Sequence, residues 1–313
     1  MRRLALAFTL TLAAACSGPE PAPRPTPPEP EAEQGAFAQR TRDGHPVATV
    51  DTHDHYAHTA VVDPAKFVYF ARKGDRKAVA LTFDCAWVPE AAGLDVLDGL
   101  ARHGVKSTFF VAGPFVFKDP FARGFDPRTA PLAEQNVRLV RRIVEDGHEV
   151  GNHSLTHPHD SAAVAWGDEL TAMEIGWARL VARAFPEGAP PNATMSRMWR
   201  APYGEYGERS LDAAAKVGFT AHVGWNTHTM DAIGMPTCDG GGKPGCLAPA
   251  AMTRNVTAFA AKNEGLDAYV VLAHLGAPYR WGSDKDGLDA LVRHATASGR
   301  SFARVSEILR TSP

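Results

Sequence analysis

Between residues 76 and 311 the chain alternates short runs of β-branched and aromatic residues with stretches whose apolar positions recur every three or four residues. Ala78 to Phe83 reads as a buried strand. A helical pattern follows, with Leu94, Leu97 and Leu100 on one face and Gly104 just past its end. Val105 to Val111 reads as the next strand, and a second helix carrying Val137, Val140, Ile143 and Val144 stops at Gly147, after which His148 to Gly151 leads into a loop. Trp166 and Trp177 read as helix packing. Strand-like runs at Ser196 to Trp199, Phe219 to Trp225, Ala268 to Ala273 and Ser301 to Val305 are separated by helical segments around 208–217, 249–262 and 286–298. This alternation predicts an α/β fold with a parallel sheet, closed as a (β/α) barrel or left open as a doubly wound sheet.

The first 45 residues follow neither period. Met1, Arg2 and Arg3 precede an apolar run from Leu4 to Ala15 interrupted only by Thr9 and Thr11, which predicts a secretory signal at 1–15, too short to span a bilayer. The run ends in Leu12-Ala13-Ala14-Ala15-Cys16-Ser17-Gly18, which resembles a bacterial lipoprotein cleavage site. That resemblance implies an acylated Cys16 anchoring an exported protein to a membrane of the cell envelope; an ordinary signal peptide cut near Ala15 is the plainer alternative. Pro, Glu and Ala dominate Ser17 to Gly35, so 16–45 reads as an extended tether. Residues 46–75 read as an N-terminal arm, whose Asp51, His53, Asp54, His55 and His58 fit a polar lead-in better than a second metal site. The remainder, 76–311, reads as one catalytic domain, expected to be a monomer.

Charge narrows the partners. Lys and Arg number 33 against 35 Asp and Glu, and no basic block follows Arg3. Nucleic acid is therefore not expected, and a neutral or small substrate is. The four cysteines matter once the chain is placed outside the cytoplasm. Cys238 and Cys246 flank a flexible Gly-rich segment, which predicts a local disulfide stabilising by roughly 2.5 kcal/mol. With Cys16 assigned to lipid, Cys85 is left unpaired.

The residues that look chemical follow strands: Asp84 the first, His153 and His157 the third, then Arg200, Asp231 and His274 after successive later ones. In βα folds those strand ends share one face. Singly each is weak, since with 13 histidines in 313 residues one pair spaced by four arises by chance about half the time.

In order, they resemble the polysaccharide deacetylases of carbohydrate esterase family 4, also called the NodB homology domain. The residues that carry the resemblance are Leu81-Thr82-Phe83-Asp84, His153-Ser154-Leu155-Thr156-His157, Arg200-Ala201-Pro202-Tyr203-Gly204, Trp225 to Asp231, and Leu272-Ala273-His274. The resemblance implies a distorted parallel (β/α) barrel, a divalent metal, most commonly zinc, and a polysaccharide or oligosaccharide substrate. It further implies His153 and His157 as metal ligands, Asp84 as base, Arg200 as its partner, the backbone N–H of Tyr203 as oxyanion donor, His274 as acid with Asp231 beside it, and Leu272 lining the acyl pocket. Three positions depart from the pattern. Cys85 replaces a ligand Asp, and is expected either as third metal ligand or as a small buried residue at the strand end. Ala232 replaces a Trp, and His228 a carboxylate. Trp87, Tyr279 and Trp281 lie beside motif loops, where each could stack a sugar ring.

Overall fold

The computed structural model describes residues 77–231, 247–266, 268–276 and 280–310, together with a strand at Phe67–Tyr69. The signal, the tether, the arm apart from Phe67–Tyr69, Cys16, Ala232, Cys238, Cys246 and Tyr279 lie outside the described residues; that strand of the arm joins the sheet beside Ala221–Val223.

Among the described residues nine strands form a single sheet with parallel ladders: β1 (Phe67–Tyr69), β2 (Ala78–Cys85), β3 (Thr108–Val111), β4 (Glu149–Asn152), β5 (Met198–Trp199), β6 (Ala221–Val223), β7 (Thr227–His228), β8 (Ala268–His274) and β9 (Ser301–Phe302). Their spatial order is β1-β6-β5-β4-β3-β2-β8-β7, with β9 against β2. The sheet curls into an incomplete barrel with β1 and β7 at its two ends. Helices cover its convex face: α1 (Glu90–Arg102), α2 (Gly113–Val116), α3 (Val137–Glu145), α4 (Trp166–Ala184), α5 (Glu208–Lys216), α6 (Pro249–Lys262) and α7 (Leu288–Ala297), while α8 (Val305–Arg310) packs Val305 and Ile308 with the inward-facing residues. Parallel strands need such crossovers, and the helices then bury the strands' outer side chains.

The two-residue strand period divides β2 cleanly. Val79, Leu81, Phe83 and Cys85 join the outer core, with Val96, Leu97 and Leu100 of α1 and Leu139, Val140, Ile143 and Val144 of α3. Ala78 and Ala80 face inward with Phe110, Val223, Trp225, Val270 and Leu272. Thr82 and Asp84 continue that inner row. Each large apolar side chain so buried stabilises by about 1.5–3 kcal/mol relative to exposure.

Several sequence expectations shift at their edges. β3 begins at Thr108, not Val105. His148–Gly151 is not a simple approach to a loop, because Glu149–Asn152 pairs with β3 in parallel register. Ser301–Val305 divides into β9 and the start of α8. β7 lacks a strand-like composition, and its place beside β8 means Asp231 follows β7, not the strand at 219–225.

Candidate active site

Arg200, immediately after β5, is fully buried at the inner face. Its Nη1 donates to Asp84 Oδ1 at 2.7 Å, Nη2 to Thr82 Oγ1 at 2.9 Å and the Gly224 carbonyl at 3.2 Å, and Nε to the Val223 carbonyl at 2.9 Å. The guanidinium carbon lies 4.2 Å from the Phe110 ring centroid. A buried guanidinium stays charged only when paired and hydrogen-bonded in this way. Burial alone would raise the Asp84 pKa, but Arg200, His153 and His274 outweigh it and hold the carboxyl below its ordinary value.

His153 and His157 sit on the loop after β4, whose backbone is unusual at both ends: Ser154 and His157 have φ of 66° and 53°. Three groups fix it. Asn152 Oδ1 accepts from Ser154 N at 2.9 Å, Glu169 of α4 accepts from both Thr156 N and Thr156 Oγ1 at 2.7 Å, and Gly113 N donates to the Ser154 carbonyl at 3.0 Å. A Cβ at Gly113 would stand 2.0 Å from the Leu155 carbonyl oxygen, so only glycine lets α2 approach. Asn152, Glu169 and Gly113 escaped sequence reasoning. Glu169 resembles any acidic residue in a helix's first turn, and nothing in one dimension shows which loop it meets.

The loop's electrostatics suit a cation. Burial lowers the pKa of His153, and burial together with His153 lowers that of His157 to about 3, so both rings are neutral near pH 7. His153 Nδ1 faces the Arg200 carbonyl at 2.8 Å and must carry the proton, leaving the Nε2 lone pair 3.3 Å from Asp84 Oδ2. Two acceptors facing each other at that distance require a positive charge between or beside them. The His153 and His157 rings meet at 4.8 Å between centroids. The pair fits a divalent metal, with neutral imidazoles as donors.

Cys85 does not join them. β2 stays regular to its end, with Cys85 paired to Val111, so adjacent Asp84 and Cys85 point to opposite faces. The thiol lies in the outer core, its Sγ 3.5 Å from the Phe83 carbonyl, and burial followed by repulsion from Asp84 pushes its pKa well above the ordinary value. Of the two expectations for Cys85, the structure shows the small buried residue at the strand end and not the thiolate ligand. Among the described residues no set of three His, Cys, Asp or Glu side chains is arranged to hold a metal.

On the other flank, the last residue of β8, His274, pairs in register with Asp84. Asp231 holds it twice, accepting from the backbone N at 2.7 Å and engaging the ring Nδ1 at 2.8 Å. Burial would lower the His274 pKa, but the charge and hydrogen bond of Asp231, with Asp84 beyond, raise it above the ordinary value. Leu272, two residues earlier, shares the inner face with Trp225. Tyr203 occupies a 3-10 turn with φ of 58°, its exposed ring edge-on to His157 at 4.6 Å and stacked on His159 at 3.9 Å. Trp281 is completely buried against Phe83, which corrects its reading as a sugar platform. Trp87 is exposed.

An ionised carboxylate clamped by arginine, two neutral imidazoles and a carboxylate–histidine dyad, gathered at the carboxyl ends of parallel strands, define a hydrolase-type cleft. Residues 71–222 match the family model described as polysaccharide deacetylase. A chitooligosaccharide deacetylase of Bradyrhizobium is 35% identical over 158 residues, covering 50% of this chain and 58% of that enzyme. A peptidoglycan-N-acetylglucosamine deacetylase of Bacillus cereus is 26% identical over 252 residues, covering 79% of this chain and 74% of the relative. The chain thus spans a little under three-fifths of its rhizobial relatives. Among solved structures, a carbohydrate esterase family 4 pseudoenzyme from Bacillus anthracis superposes with a TM-score of 0.56 at 21% identity, over 79% of this chain and 70% of that one. Residues 71–222 thus match the polysaccharide deacetylase family, and the barrel is the one seen in the carbohydrate esterase family 4 structures that the chain resembles.

Proposed function

We propose that this protein removes acetyl groups from N-acetylated sugars of a cell-wall or exported polysaccharide, with zinc as the cofactor. The observation that carries the reading is the opposed tuning of two groups at one end of the sheet: the Asp84 pKa is lowered, chiefly by Arg200 against burial, and the His274 pKa is raised, chiefly by Asp231 against burial. The named activities of the chitooligosaccharide and peptidoglycan relatives support the substrate class.

His153 and His157 would hold the zinc, which would supply Lewis acidity when bound. Asp84, oriented by Arg200, takes a proton from the water that adds to the acetyl carbonyl carbon. The backbone N–H of Tyr203 donates to the oxyanion that develops. When the C–N bond breaks, its electron pair stays on nitrogen, which takes a proton from His274, leaving acetate and a free amine. Asp231 keeps the His274 ring oriented and favours its protonated form, and Leu272 lines the space for the acetyl methyl. Export on an acylated Cys16, with 16–45 as tether, brings the domain to extracytoplasmic glycan, and a Cys238–Cys246 disulfide closes its local loop. Cys16→Ser should move the protein to the soluble fraction.

Incubation with zinc and N-acetylated oligosaccharides should release acetate, with Asp84→Asn at least about 10³-fold slower and chelator abolishing release reversibly. No release from chitin oligomers, peptidoglycan fragments or acetylated exopolysaccharide overturns the reading. One observation, Cys85 outside any ligand set, favours a second one: a glycan-binding lipoprotein on a retired scaffold. Glycan binding without turnover, unchanged in Asp84→Asn, would select it; release from O-acetylated chains alone would mark an esterase.

A further inference from the structure

Three large apolar side chains are exposed among the described residues: Trp87 at 64%, Phe121 at 57% and Tyr203 at 47%. All three lie on the side of the sheet where the strands end. Trp87 is two residues past β2, Phe121 follows α2, and Tyr203 is on the turn after β5. Exposed apolar surface gathered around a cleft marks a binding site more often than chance. Tyr203 already packs on His157 and His159, but nothing in the proposed chemistry uses Trp87 or Phe121.

Their setting locates them on the rim. Val88, next to Trp87, lies 3.1 Å from a Cβ built at Gly276, two residues past His274. Pro120, next to Phe121, lies 3.0 Å from a Cβ built at Gly113, whose other contact is the carbonyl of Leu155 between the two candidate ligands. The aromatic pair therefore bridges the loop that carries the imidazoles and the loop that follows His274. The two rings are nearly parallel, 11° apart with centroids separated by 6.5 Å. With more than half of each side chain open to water, flat apolar faces remain for a ligand. The Trp87 indole N–H makes no hydrogen bond among the described residues, so it can donate to a ligand hydroxyl.

We propose that Trp87 and Phe121 form a stacking subsite for the apolar face of a pyranose ring, in the sugar unit next to the one being deacetylated. A pyranose presents axial C–H groups on its face and hydroxyls at its rim, which suits an aromatic surface with one N–H donor and no charge. The proposal rests on the deacetylase reading for its substrate, and makes the pair a determinant of chain length.

The zinc-loaded full chain, Trp87→Ala, Phe121→Ala and Trp87→Phe would each be titrated calorimetrically with N-acetylglucosamine and its β-1,4 tetramer, with circular dichroism confirming the fold and acetate release measured on the same samples. The dissociation constant of the tetramer should rise about tenfold in each alanine variant and by far less for the monomer, while Trp87→Phe keeps most of the affinity. Alanine variants that bind the tetramer like wild type, beside a wild type that releases acetate, overturn the subsite and leave the deacetylase standing. Tetramer affinity lost in those variants, with no acetate from wild type, does the reverse. A dimer in sedimentation that Trp87→Ala dissolves, with glycan affinity unchanged, assigns the patch to self-association and overturns the proposal.

Discussion

At Cys85 a thiol stands one residue past the carboxylate that the site depends on, and strand geometry alone separates their fates. Asp84 turns toward Arg200 and His153; Cys85 turns into the apolar layer beneath the helices. Cys85→Ala should therefore leave zinc content unchanged, measured by metal analysis after dialysis, while lowering stability by about 1 kcal/mol through a small cavity. Loss of zinc in that variant would return the thiol to the metal. Asp231 supports a second prediction. Its charge is the largest influence raising the His274 pKa against burial, with Asp84 adding to it and Arg200 opposing. A proton donor must be protonated, so activity falls as pH rises through the raised pKa of His274. In Asp231→Asn the alkaline limb of kcat/KM should move to lower pH. The stability that this dyad adds follows the same sign: fully present below the ordinary value near 6.5, and lost as pH climbs through the raised one.

At the scale of elements, the histidine loop holds two of the five non-glycine positions at positive φ among the described residues. Its conformation is held from outside, by Glu169 on α4 and by the close approach of α2 at Gly113. Glu169→Ala removes both hydrogen bonds to Thr156 without touching either imidazole. Metal affinity should fall about tenfold or more, read by competition with a chromogenic zinc chelator, while the melting temperature drops only slightly. An unchanged affinity would mean that Asn152 and Gly113 suffice to hold the loop.

For the molecule as a whole, acid stability has an identifiable contributor away from the cleft. His148 is buried before β4, where Nδ1 accepts from Ser107 N at 3.1 Å, and burial lowers its pKa to about 4. Its folded pKa is depressed, so the unfolded chain takes up the proton first. Stability falls as pH drops from about 6.5 toward 4 and levels below that; by pH 5 this group accounts for about 2 kcal/mol. His148→Asn keeps an acceptor for Ser107 but cannot titrate. Urea unfolding at pH 7.5 and 5.0 should show a smaller acid loss in the variant than in wild type, and equal losses would remove His148 as the cause.

The one-dimensional pattern determined much of this protein. Strand and helix alternation specified the parallel α/β fold, because a period of two and a period near 3.6 are written directly into the apolar positions. The ordered motifs also named Asp84, His153, His157, Arg200 and His274, because residues after successive parallel strands must emerge at one end of the sheet. What tertiary structure decided was direction and support. Cys85 was ambiguous until the pairing of β2 with β3 and β8 extended the pleat through it. β7 was invisible because two polar residues become a strand only when β8 offers them a ladder. Glu169, Asn152 and Gly113 carry no local signature, since their roles exist only where α4, β4 and α2 meet the histidine loop. Trp87 and Phe121, 34 positions apart in the sequence, become one surface only when the segments after β2 and α2 are folded side by side.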